Sequence, residues 1–121
     1  MTRYTQTQMT DIANKAWDDF KATFRADFAG MGDTLADAAT SGYKDGYLLA
    51  LLNFNDAGVN AHRTNREFRA LAATTWDLFY AGGSASNLAT VEYRMTREFF
   101  IAGYTQAMDY LIAMDAFARI L

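Results

Sequence analysis

A chain of 121 residues has room for one ordinary domain, and a make-up of 51% hydrophobic and 21% charged residues is that of a folded protein rather than a disordered one. Absence of cysteine excludes disulfides, thiolate zinc sites, iron–sulfur clusters and cysteine nucleophiles, and a single histidine excludes a multi-histidine metal site within the chain. A formal net charge of -3 is too weak for a nucleic-acid mimic and has the wrong sign for a general nucleic-acid binder.

The N-terminal stretch MTRYTQTQMT is polar and lacks the apolar region of a signal peptide. The longest unbroken apolar run, Tyr47 to Leu52, falls far short of the ~20 residues that a membrane span requires. These features predict no membrane partner and a cytoplasmic location. Twenty-two alanines stand against two valines and four isoleucines, and there is no proline. Helices favour alanine, strands favour β-branched side chains, and proline interrupts helical hydrogen bonding. The composition therefore predicts an all-α chain, a single helical domain over 1–121 built as a compact bundle of about four helices.

The first helix is predicted over 10–29. Met9, Ala13, Ala16, Trp17, Phe20 and Phe24 recur at three- and four-residue steps and so share one face. The Gly30-Met31-Gly32 stretch ends it, since glycine readily adopts the left-handed conformation of a helix terminus. The second helix, 34–54, can be capped by Asp33 or Thr34. It carries a strip of small residues, Ala39, Gly42, Gly46 and Ala50, beside a bulky face of Tyr43, Tyr47, Leu51 and Phe54. An interior glycine costs about 1 kcal/mol relative to alanine, so two of them call for a packing reason, and a close helix–helix approach supplies one. Leu48 and Leu52 fall on another side again, which leaves the end of this helix apolar almost all round.

Asn55-Asp56-Ala57-Gly58 reads as a turn. The third helix, 59–80, has an apolar face containing Phe68, Leu71, Ala72, Thr75, Trp76 and Phe79. Gly82-Gly83-Ser84 breaks the chain, and a final helix is predicted over 87–120. A straight helix of that length spans about 50 Å, whereas a globule of this chain length is roughly 35 Å across. The expectation is a bend or split near Gly103, or a helix shared with a partner. The apolar stripe shifts near Gly103, with Leu88, Met95 and Phe99 carrying the first half and Tyr110, Met114, Phe117 and Leu121 the second, while Ile101, Met108 and Ile112 lie opposite. Apolar surface on both sides implies a central helix or a helix covered by a second molecule.

Two groups of residues could bind something. The first is the surplus apolar set Leu48, Leu52, Ile101, Met108 and Ile112, a candidate surface for a protein partner or for self-association. The second is a basic cluster, His62, Arg63, Arg66 and Arg69, on the side of the third helix away from its apolar face. Residues 59–70 carry three arginines and one glutamate, a local +2 in an acidic chain. Arg66 and Arg69 have no acidic residue three or four positions away, and a guanidinium offers a bidentate fork for phosphate, nucleic acid or an acidic partner. The alternative is a solvated face paired with carboxylates of other helices.

Catalytic signatures are weak. Asp18 and Asp19 are adjacent and diverge by about 100° on a helix, so they do not converge as an acid–base pair. Asp27 falls near the middle of an apolar stripe and His62 is the lone imidazole, but no Gly-x-Ser-x-Gly elbow or Glu-x-x-His pair accompanies them. Gly82-Gly83-Ser84 lacks the lysine and the preceding strand of a phosphate-binding loop. No cofactor and no metal are expected. The sequence points to a non-enzymatic protein-interaction module: an adaptor, an assembly subunit or an inhibitor of a larger complex, of which a phage antidefence or host-takeover protein would be one form. Anion binding through the arginines is the second reading, and an enzyme a distant third.

Overall fold

Local capping signals set the starts of two of the helices in the computed structural model. The structure describes residues 4–23, 32–54, 64–79 and 90–120, and every regular element among them is helical: α1 (Gln6–Thr23), α2 (Asp33–Phe54), α3 (Asn65–Phe79) and α4 (Thr90–Ile120). No helix among the described residues is long and apolar enough to cross a membrane.

Thr5 caps α1. Its hydroxyl accepts from the Gln8 backbone N–H at 3.1 Å, and the Gln8 side chain accepts from the Thr5 N–H at 2.8 Å. This reciprocal capping box satisfies amide groups that a helix terminus otherwise leaves orphaned. The helix therefore begins at Gln6, ahead of the start at residue 10 expected from its apolar stripe. Thr64 and Glu67 repeat the device on α3, with both reciprocal bonds at 3.2 Å. That cap moves the start of α3 to Asn65, later than the predicted residue 59. The predicted helical stretches 24–29, 59–63 and 87–89 lie outside the described residues.

The centre of the bundle is the pair α2 and α4. Gly42 lies against the backbone of Thr96, Gly46 against that of Phe100, and Gly103 against that of Tyr43. A Cβ on any of the three would run into a carbonyl oxygen of the other helix. The contacts advance together along both chains, so α2 and α4 run in the same direction. Ala39, Ala50 and Ala107, all fully buried, continue the small-residue seam. The expected reason for Gly42 and Gly46, a close helix approach, is what the structure shows. Gly103 serves the same purpose from the other helix, which corrects the expectation of a split there: α4 is one unbroken helix of 31 residues, about 46 Å at the standard rise.

The flanking helices cover this pair on different sides. Trp17 and Phe20 of α1 pack on Tyr43 of α2 and Phe99 of α4, with ring centroids 4.8 to 6.1 Å apart. Trp76 of α3 packs on Tyr93 and Phe100 of α4 at 5.6 and 5.2 Å, and its indole N–H donates to the Tyr93 hydroxyl at 3.0 Å. Since α4 meets α1, α2 and α3 on different faces, it needs apolar side chains most of the way round. That is the central-helix alternative of the two that its patterning allowed.

Candidate functional site

Most of the apolar residues read as surplus surface are used by this packing. Ile101 and Met108 are core residues, 3% and 0% exposed. Leu48 and Ile112 are partly buried and pack against the core. The candidate partner surface is thereby corrected: Ile101 and Met108 present no area to a second molecule, because the centrality of α4 consumes its second apolar side. Leu52, at 51% exposed, is the one member of the set that stays on the surface.

The basic cluster is divided. His62 and Arg63 lie outside the described residues. Arg66 and Arg69 are exposed, as expected for the polar face of α3. Arg69 has a carboxylate that its own helix does not supply: Glu98 of α4 lies 3.6 Å from its guanidinium and also 3.7 Å from that of Arg97. The surplus positive charge on α3 is thus partly compensated by the next helix. Asp27 and Gly82-Gly83-Ser84 also lie outside the described residues. No group of three or more metal-ligating side chains occurs among the described residues.

A different feature brings chemistry together. A groove runs between α1 and α4, with α2 beneath it. One part, about 370 Å³, is bounded by Asp11, Ile12, Lys15, Asp19, Tyr47 and Tyr110. A second, about 520 Å³, is bounded by Asp19, Phe20, Tyr43, Gln106 and Asp109 together with the shared Tyr47 and Tyr110. Ala16 and Asp19 also bound both, so the two parts are contiguous.

The walls follow from helical spacing. Asp11, Lys15 and Asp19 are four residues apart and form one line along α1, next to the stripe Met9, Ala13, Trp17 that is buried. Lys15 bridges Asp19 at 2.9 Å in the favourable i, i+4 position, with both side chains largely in solvent. Asp109 and Tyr110 come from the stretch of α4 facing α1, where Tyr110 packs on Tyr4 at 6.3 Å. The floor is Tyr43 and Tyr47, at adjacent turns of α2 with ring centroids 5.8 Å apart.

The two floor phenols differ. The Tyr43 hydroxyl donates to Oε1 of Gln106 and is held in the packing. Tyr47 is 97% buried by area, yet its hydroxyl has no hydrogen-bond partner among the described residues. No buried side-chain oxygen or nitrogen there lacks a partner, so that hydroxyl opens into the groove. Burial pushes both phenols well above the ordinary tyrosine range, helped by Asp19 at Tyr43 and by neighbouring tyrosines and Asp109 at Tyr47. Tyr4 is pushed up to about 12 by burial and its hydrogen bond to Tyr110. The Asp109 carboxyl is also raised, by partial desolvation in the groove wall. The groove thus presents neutral phenols beneath carboxylates.

Sequence reasoning missed this site. Asp18 and Asp19 diverge on a helix and so read as no site, and Tyr43 and Tyr47 read as part of one bulky face of the second helix. The available signal was the i, i+4, i+8 line of Asp11, Lys15 and Asp19 alongside a buried stripe, but its opposite wall on α4 required the fold. No protein-family model matches the chain, and neither a curated protein nor a solved structure matches it.

Proposed function

We propose that this protein is a non-enzymatic protein-interaction module, an adaptor or inhibitor acting on a larger partner, and that the groove between α1 and α4 is its docking surface. The observation that carries the reading is the Tyr47 hydroxyl, unpartnered at the bottom of a groove with an aromatic floor and charged walls. Recognition sites combine apolar area with a few placed polar atoms, and this hydroxyl opens into the groove with its hydrogen-bonding capacity unused by any described residue. The groove supports a binding role better than a catalytic one: its titratable groups are tyrosines, with Tyr43 and Tyr47 raised far from neutrality, carboxylates, and a Lys15 ammonium bonded to Asp19, with no imidazole beside a nucleophile among the described residues.

Site-specific photo-cross-linking tests the reading. A photoreactive side chain at Asp11, on the groove wall, is compared in the producing cells with one at Arg66, on exposed α3. Capture of a defined protein from the groove position alone, abolished by Tyr110→Glu in a protein that still melts cooperatively, supports docking there. Equal capture from both positions, or capture from Arg66 alone, overturns it.

A further inference from the structure

The geometry points to an extended basic segment of a partner protein as the occupant of this groove, with one lysine or arginine side chain seated over Tyr47 and Tyr110 between the carboxylates of Asp19 and Asp109. This rests on the protein-interaction reading above and adds to it the chemistry of the partner.

Three observations carry the assignment. The first is charge. Asp11, Asp19 and Asp109 face the groove against a single cation, Lys15, so the walls are net negative. The second is the floor. Aromatic faces attract a cation held within about 6 Å of the ring, and a neutral phenol oxygen accepts a hydrogen bond from an ammonium or guanidinium. Tyr110, half-buried and lining both parts of the groove, supplies the ring, and Tyr47 supplies an oxygen that no described residue uses. The third is length. The wall of α1 runs from Asp11 to Thr23, about 18 Å along the helix axis, which matches five or six extended residues rather than one small amine.

Lys15 shows how a basic side chain would enter. Its bond to Asp19 is exposed at both ends, 77% and 69%, and ion pairs of that kind are weak and readily exchanged. An incoming cation can take over Asp19 while Lys15 swings into solvent. Lys15 is thus an internal competitor for the site, and this gives the proposal an unusual signature: removing a charge of the same sign as the ligand raises affinity in one direction while removing wall charge lowers it.

The test uses the full chain, labelled for amide NMR and titrated at low ionic strength with hexalysine, hexaarginine, hexaglutamate and spermidine. The expected result is saturable shift changes from the basic hexapeptides, concentrated on residues 11–19 and 106–110, with hexaglutamate inert and spermidine markedly weaker. Asp109→Asn and Tyr47→Phe each weaken peptide binding about fivefold or more, Lys15→Gln strengthens it about twofold or more, and Asp77→Asn on α3 leaves it unchanged. Tyr47→Phe keeps the ring, and a thermal melt of each variant confirms the fold. Shifts spread over the whole acidic surface, equal sensitivity to Asp77→Asn, spermidine binding as tightly as the peptides, or no binding would each overturn the assignment. Failure here with groove-specific cross-linking intact rejects the basic partner and leaves the docking surface standing. Loss of cross-linking specificity rejects the docking surface itself.

Discussion

Replacing Gly46 by alanine tests the central seam most directly. In the folded protein an added Cβ would stand 2.9 Å from the Phe100 carbonyl carbon and 3.0 Å from its Cα, and closer still to the carbonyl oxygen. Carbon atoms pack favourably at about 3.5–4.0 Å, so the two helices must part by something on the order of 1 Å. The obstructing atoms are backbone, and no rotamer change moves them aside. Overpacking of this kind costs about 1–3 kcal/mol, and a backbone clash belongs at the upper end. Alanine returns about 1 kcal/mol through helix propensity, which leaves a net loss of about 2 kcal/mol. For a domain of this size that lowers Tm by roughly 8 °C, and the urea midpoint falls with an unchanged m value. Gly32→Ala, where a Cβ meets nothing within 4 Å, changes stability by less than about 1 kcal/mol and serves as the control. A Gly46→Ala protein that melts several degrees higher than the parent, as propensity alone would have it, refutes the close approach. The double variant Gly42→Ala/Gly46→Ala should lose less than the sum of the two single losses, since a seam already parted no longer clashes at its second glycine.

Met108→Ala is expected to cost about 2–5 kcal/mol in chemical unfolding, as for a residue with no exposed surface; a stability unchanged within error would return Met108 to the surface. Thr64→Ala removes the hydroxyl half of the α3 capping box and should cost about 1 kcal/mol, read as a lower urea midpoint, whereas an unchanged midpoint would remove the box as the start signal. The tyrosine phenols give a signed pH response. Tyr4, Tyr43 and Tyr47 titrate above the ordinary tyrosine value of 10.0 in the folded state, so their contribution is complete below pH 10 and is lost as pH rises through the folded values, about 12 for Tyr4. Thermal melts from pH 8 to 12 should show constant stability up to about pH 10 and a steady decline beyond it. Tyrosinate absorbance that develops fully by pH 10.5 with the fold intact would contradict this.

The helical class, the number of helices and the faces of α1 and α3 were legible because alanine content and three-to-four-residue spacing act locally. Met9, Ala13, Trp17, Phe68, Ala72 and Trp76 fell where their periodicity put them. The two capping boxes were equally local, yet a reading led by apolar stripes passes over Thr5 and Thr64, whose signal is polar. Gly103 was legible only as an anomaly. Its two meanings, a break in one helix or a contact with another, differ only in whether Tyr43 lies opposite, and the sequence of α4 alone does not carry that fact. Ile101 and Met108 misled for the same reason: an apolar second side means exposed surface on a peripheral helix and core on a central one. The groove lay beyond reach because its aromatic floor, its acidic wall and Asp109 come from three helices, and each is unremarkable within its own.

The parallel seam also divides the chain in a way that its bundle shape conceals. Trp17 meets Tyr43 while the earlier Ile12 borders Tyr47, so α1 and α2 form one antiparallel hairpin. Trp76 meets Tyr93 while the earlier Arg69 reaches Glu98, so α3 and α4 form another. Each hairpin is contiguous in sequence, and the two halves meet at the glycine faces of α2 and α4, with α1 and the preceding Tyr4 adding aromatic contacts to Phe99 and Tyr110. Contacts within a half need only short loops to close, whereas the seam joins positions about half the chain apart and carries the larger closure cost. Severing the chain between α2 and α3 would therefore leave two fragments whose reunion is a binding reaction across the seam. Gly42, Gly46 and Gly103 would then set the dissociation constant of that reunion, just as they set the melting temperature of the intact chain.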